Sequence, residues 1–143
     1  MAEGLRDDAL LISPQHRIVL EGPALHLMGN KNELHSALAN LVTNALRYSP
    51  PDSTVRLHWG TDNDGAFFSV TDQGQGIAAV HIPRLTERFY RVDAGRGRAD
   101  GGTGLGLAIV KHALARHDGQ LDIVSTPGKG STFTCRFPAS CVL

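Results

Sequence analysis

The sequence predicts a two-layer α/β sandwich of the α+β type, a mixed and mostly antiparallel sheet with about three helices on one face. Three observations carry that expectation. Short alternating segments come in pairs, helical periodicity falls between the pairs, and the order β-β-α-β-β-α-α-β-β lacks the regular β-α alternation of a doubly wound parallel sheet. At 143 residues the chain is most simply one domain, 1–143, long enough to bury a hydrophobic core without staples.

Taken in order, "HRIVLEG" and "ALHLMG" read as two short strands about a Gly22-Pro23 turn, preceded over 1–15 by an expected remnant of an upstream linker. The period then changes. From Asn30 to Tyr48, Leu34, Leu38, Leu41 and Ala45 fall at i, i+4, i+7 and i+11, the apolar stripe of a helix that Ser49-Pro50-Pro51 ends. "TVRLHWG" and "AFFSVTD" flank "TDNDG", which predicts an antiparallel hairpin with Asp64-Gly65 at the turn. A short helix is expected near His81 to Thr86. After it comes a loop over 88–101, expected to be mobile without ligand because its "DAGRGRADGG" part has almost no apolar content to anchor it. A helix from Thr103 to His117 follows, with Leu107, Val110 and Leu114 toward the sheet and Gly119 just past its end. "QLDIVS" and "STFTCRFP" close the sheet as strands around "TPGKG".

Composition narrows the function. Lys+Arg and Asp+Glu both number 14, so net charge gives no reason to expect nucleic acid or an anionic membrane as partner, and any anion site must be local. The apolar runs are far shorter than a membrane span and the N-terminus is acidic where a signal peptide is basic, which predicts a soluble chain. Cys135 and Cys141 match neither a zinc pattern nor a disulfide framework and read as ordinary reduced thiols.

Glycine is costly to order, so four of them in the first six residues of "GGTGLGLAIVKHALARHDG", just before helix-forming sequence, suggest a ligand against bare backbone, phosphate first of all. Two familiar phosphate motifs fail on spacing. Ile123 stands where a P-loop ending in Gly128-Lys129 needs glycine, and "GQGIAA", though it matches a dinucleotide fingerprint, reaches Pro83 before a crossover helix can form.

Asn40, Asn44 and Arg47, at i, i+4 and i+7, form a polar stripe beside the leucine stripe, with Tyr48 at its edge. Asparagine is a poor helix-interior residue. Two solvated side chains would account for the pair; so would a magnesium site, because amide oxygens, phosphates and water suit a hard cation, with Arg47 near the same phosphates. Asp72 ends its strand at "DQGQGI", where glycines allow a flat ligand against the backbone. As a turn aspartate it is ordinary. As a buried acceptor it takes a hydrogen bond from adenine's exocyclic amine and repels the carbonyl of guanine.

"NLVTNALRYSP", "DQGQGI", "ERFYR", "GGTGLGL" and "GKGS", in that order over residues 30 to about 137, resemble the N, G1, F, G2 and G3 boxes of bacterial sensor histidine kinases. "IPRLTERFYRVD" and the second glycine segment further resemble the phosphate-regulon branch of that family. The resemblance implies the Bergerat ATP-binding sandwich, with ATP and Mg²⁺ as cofactors. Asn44 would be the metal ligand. Asn40, Arg47 and Arg91 would serve phosphoryl transfer, and Tyr48, Asp72, Gly74, Gly76 and Ile77 would border the base. Phe89, with Arg88 and Arg91, would hinge an ATP lid over 88–101. The backbone from Gly102 through Thr103, Gly104, Leu105, Gly106 and Leu107 would face the phosphates. None of the seven histidines sits in the family's phosphoacceptor pattern of an acidic residue next and proline soon after; His117-Asp118 comes nearest, at a helix end where the dipole favours histidine. The resemblance therefore implies the catalytic part of a kinase whose acceptor histidine lies on a separate dimerisation domain. The implied setting is a homodimeric, inner-membrane sensor with a response regulator downstream and this domain in the cytoplasm. A nucleotide-binding regulatory module and a serine kinase of the anti-sigma type remain alternatives on the same fold.

Overall fold

The computed structural model describes residues 17–22, 29–50, 52–87 and 106–141. Among these residues five strands form one sheet: β1 (Arg17–Glu21), β2 (Thr54–Asp62), β3 (Gly65–Asp72), β4 (Gln120–Thr126) and β5 (Gly130–Pro138), in the order β1-β2-β3-β5-β4. β1 and β2 are parallel and every other pair is antiparallel. The sheet is therefore mixed, as expected. Two α-helices cover its inner face, α1 (Lys31–Tyr48) and α2 (Gly106–Arg116). The expected strand "ALHLMG", the linker remnant, the 88–101 lid and the first residues of the second helix lie outside the described residues. No helix among the described residues is long and apolar enough to cross a membrane.

α1 forms because local and long-range preferences agree. The Asn30 side chain accepts from the Glu33 N–H at 3.0 Å and caps the first turn, and Ser49 returns its hydroxyl to the Ala45 carbonyl at 2.6 Å where the prolines stop the helix. Leu34, Leu38, Leu41 and Ala45 are buried, joined by Ala37, Val42 and Leu46. Each large apolar side chain so buried contributes about 1.5–3 kcal/mol. The sheet answers with Leu57, Phe68, Val70, Phe133, Cys135 and Phe137. Burial pushes the Cys135 thiol up to about 12, so it is an inert core group.

One local expectation is corrected. The short helix near His81 to Thr86 is a 3-10 helix at Ala79–Arg84, with Pro83 inside it. Proline cannot donate, and the turn closes through the Leu85 N–H to the Ile82 carbonyl at 3.3 Å, so an α-turn does not develop there. At the end of α2 Gly119 stands just past the last turn, as expected, and the left-handed residue is Asp118 (φ 57°). Gly119 serves a different need: its N–H donates to the Leu114 carbonyl at 2.7 Å, and a Cβ there would meet the Arg136 carbonyl of β5 at 2.5 Å. His117 likewise does more than sit in the helix dipole. Asn30 N–H donates to its Nε2 at 3.0 Å, leaving the ring proton on Nδ1, 2.8 Å from the Ala113 carbonyl. The neutral ring ties the end of α2 to the start of α1, beside an Arg116–Glu33 ion pair at 2.6 Å.

The two turn residues should therefore respond in opposite ways. Gly119→Ala is expected to destabilise by about 2 kcal/mol, because backbone has to move. Asp118→Gly should stay within about 0.5 kcal/mol of the wild type or stabilise slightly. Urea unfolding midpoints check both.

Candidate functional site: a nucleotide cleft

The inner face of the sheet is apolar except at one end. The paired row Val70, Phe133, Ile123 gives way, two residues along each strand, to the row Asp72, Ser131, Ser125. Asp72 is 5% exposed, and its Oδ1 accepts from the Gly74 N–H at 2.9 Å. Burial pushes its carboxyl above the ordinary value, while the backbone N–H groups of Gly74 and Ser131 pull it partly back. A carboxylate held this way, with capacity left at its second oxygen, is a fixed acceptor at the rim of the core.

The glycine segment after Asp72 is held on two sides. Gly74 lies under the end of α1, where a Cβ would be 2.5 Å from the Tyr48 carbonyl. Gly76 has φ 77°, and a Cβ on it would meet the Thr126 carbonyl at 2.2 Å. The β4–β5 turn completes the docking: Gly128 N–H donates to the Gln75 carbonyl at 2.7 Å and Ile77 N–H to Ser125 Oγ at 2.7 Å. Ile77 packs its side chain against the core. Asp72, Gly74, Gly76, Ile77 and the end of α1 are thus one structure.

A second group forms along α1. Asn40, Asn44 and Arg47 are half-buried and Tyr48 is exposed. Asn40 Nδ2 donates to the Ser36 carbonyl at 2.8 Å. Its oxygen then faces the first residue of α2, where a Cβ on Gly106 would approach it to 3.2 Å. Gly106 is therefore a contact between helices, with the Asn40 oxygen beside it. Leu107, given a backbone role above, has its side chain packed against the core. Arg91, Gly102, Thr103, Gly104 and Leu105, together with Arg88 and Phe89, lie outside the described residues.

Among the described residues no group of three or more His, Cys, Asp or Glu could hold a metal. The oxygens near the polar stripe are neutral amides, which suits a hard cation whose remaining ligands are phosphate and water.

The family described as histidine kinase-, DNA gyrase B-, and HSP90-like ATPase matches residues 29–140. The chain belongs to that ATPase family. It is 54% identical over 136 residues to the phosphate regulon sensor protein PhoR of Pseudomonas aeruginosa, covering 93% of this chain and 31% of that protein. It is 43% identical over 145 residues to PhoR of Haemophilus influenzae, covering 100% of this chain and 34% of that protein. The chain thus spans about a third of the length of the curated relatives it matches. Its fold superposes on the mycobacterial sensor histidine kinase MprB with a TM-score of 0.85 at 26% identity, covering 95% of this chain and 90% of that one. It also superposes on ShkA, solved full-length in complex with AMPPNP, with a TM-score of 0.78 at 29% identity, covering 94% of this chain and 29% of that one. The expected sandwich, the sensor-kinase resemblance and its phosphate-regulon branch agree with these findings.

The sequence reading of this ATPase domain gave no role to three supporting residues. Gln73 accepts the Thr54 N–H on its Oε1 at 2.9 Å, which braces the glycine segment against β2. Ser125 and Ser131 face each other across the β4–β5 turn, with their hydroxyls 2.8 Å apart. Their signal was available: each is a polar residue at an inward position of an otherwise apolar alternation.

The Asp72 environment has a measurable pH signature. A carboxyl whose pKa is raised on folding binds its proton more readily in the folded chain, so its contribution to stability is fullest below the unfolded value, here 3.8, and is lost as pH rises through the folded one. The amide in Asp72→Asn does not titrate. From pH 7 to pH 4 the stability difference between wild type and Asp72→Asn should move steadily in favour of the wild type; urea unfolding across that range measures it.

Proposed function

We propose that this chain binds Mg·ATP and passes the γ-phosphoryl group to a histidine on a separate dimerisation domain of the same protein. The supporting observation is the run of one face of α1. From Tyr48, against the glycines beside Asp72, to Asn40, against the start of α2, it covers about 12 Å at 1.5 Å per residue. That span matches a nucleoside triphosphate, with a base selector at one end and a helix N-terminus at the other.

In this reading the base lies against Gly74, Gly76 and Ile77, Tyr48 borders it, and Asp72 accepts from the adenine amine. Asn40, Arg47 and the backbone of 102–107 line the triphosphate, with Arg91 reaching it from the lid. A magnesium ion held by the Asn44 amide oxygen would neutralise charge on the phosphates. The chain's own groups position the γ-phosphoryl group for a loose transition state, in which a bond forms to the imidazole nitrogen as the bond to the ADP oxygen breaks. The nucleophile comes from the partner domain. The same reading carries with it a response regulator downstream, a homodimeric full-length protein and a membrane-anchored sensor with this domain in the cytoplasm; similarity to the phosphate regulon sensor protein PhoR supports a part in phosphate control.

Calorimetry with ATP, ADP and GTP, with and without Mg²⁺, tests binding. Wild type should prefer ATP, Asp72→Asn should lose about 1.5–3 kcal/mol of ATP binding and most of the preference over GTP, and Asn44→Ala should lose the dependence on Mg²⁺. Labelled ATP mixed with the cognate dimerisation domain should give acid-labile phosphohistidine. Acid-stable phosphoserine on a protein partner, or no transfer, would overturn the kinase reading while leaving ATP binding intact.

A further inference from the structure

Base recognition by Asp72 requires that the carboxylate and the glycine segment keep a fixed separation; the Gly74 N–H ties the near end of that segment to the carboxylate, and beyond it Gly76 has a left-handed backbone. One side chain bridges the two walls from outside. Ser125 Oγ receives the Ile77 N–H at 2.7 Å, lies 2.8 Å from Ser131 Oγ and 3.1 Å from the Gly130 carbonyl. A hydroxyl has one hydrogen and two lone pairs. With Ile77 N–H and the Ser131 hydroxyl donating to it and its own hydrogen on Gly130, all three capacities are filled. Gly130 and Ser131 are the residues alongside Asp72: a Cβ on Gly130 would meet the Asp72 carbonyl at 2.2 Å, and Ser131 is the strand partner of Asp72 and gives its carboxylate a backbone N–H.

We propose that Ser125 is a positioning residue for base selection, holding the Ile77 wall of the cleft at a fixed distance from the Asp72 carboxylate through its contacts with Ile77, Gly130 and Ser131. It touches no ligand itself. The inference rests on the ATP-binding reading above. Ser125→Ala removes the acceptor of the Ile77 N–H while leaving the β4–β5 ladder in place, so the base end of the cleft loosens and the phosphate end, on α1 and α2, does not.

Calorimetry on the 143-residue chain with adenosine, ADP, ATP and GTP distinguishes this role from a general structural one. Ser125→Ala should weaken adenosine, ADP and ATP alike, by about tenfold, and narrow the preference for ATP over GTP. Ser125→Thr, which keeps the hydroxyl, should recover both. Amide exchange at Ile77 without nucleotide should accelerate in Ser125→Ala while the β3 and β5 amides stay protected. Unchanged affinities, a loss that grows with the number of phosphates, or a loss that Ser125→Thr fails to recover would each overturn the inference. Should Ser125→Ala not fold, Ser125→Cys, a weaker acceptor of similar size, decides: weakened adenosine binding supports the role and wild-type binding overturns it. Absence of ATP binding by the wild type overturns the nucleotide reading and this inference together. Wild-type binding with an unchanged Ser125→Ala overturns the inference alone.

Discussion

Every part of the cleft is referenced to α1, which must bury one stripe and keep the adjacent stripe uncovered. Seven of its residues, from Leu34 to Leu46, are buried in the core. Helical geometry then leaves Asn40, Asn44 and Arg47 on the flank of that stripe, half-buried at the margin. The same rotation brings the last carbonyl, that of Tyr48, onto Gly74. Were α1 to turn about its axis, the leucines would lose their sheet and the amides their position together. Packing energy and site geometry are therefore one constraint.

Asp72 shows where the site works against stability. At that end of the sheet an apolar side chain would continue the Val70, Phe133, Ile123 row without an ionisable group to desolvate. A buried carboxylate raises its own pKa and is only partly compensated by two backbone N–H groups. In the proposed role that imbalance has a use, because an Asp72 fully satisfied by the protein would have nothing left to offer an amine. The dense bonding around it, from Gln73 to Ser125, holds the position without using up the carboxylate.

What the sequence made legible was whatever rests on local periodicity. The leucine stripe of α1, its asparagine cap and proline stop, and the β2–β3 hairpin all follow from spacing within a single element. The separate suspicions about Asn40, Asn44, Arg47 and Asp72 came from residues out of character with their elements. What it left hidden depends on contacts between distant segments. Gly119 is legible as the residue just past the helix, but not the pressure on it, which comes from the Arg136 carbonyl across the fold, nor the left-handed conformation of Asp118 before it. The short helix at Ala79–Arg84 is 3-10 rather than α because Pro83 lacks a donor, a distinction that a single short turn's periodicity does not carry. Ser125 stands out as a polar residue at an inward strand position, but its use, like that of Gln73, shows only through a bonded partner 48 or 19 residues away.

The placement of α2 explains how the two ends of the cleft stay at a fixed distance. Its first residue, Gly106, lies against Asn40, and just past its last turn His117 is bonded to Asn30. Along α1 those anchor points are ten residues apart, about 15 Å, and along α2 the matching points are eleven residues apart, about 16 Å. The helices therefore run antiparallel with both ends pinned, the far end by a neutral imidazole and the Arg116–Glu33 pair. A helix pinned at both ends against its neighbour cannot slide by a turn without breaking both contacts. The N-terminus of α2 is thereby set relative to α1, and α1 is set relative to Asp72 through Tyr48 and Gly74. The small contact at Gly106 then has a geometric purpose: a Cβ there would stand 3.2 Å from Asn40 Oδ1, so the amide, held by its bond to the Ser36 carbonyl, would have to give by a few tenths of an ångström.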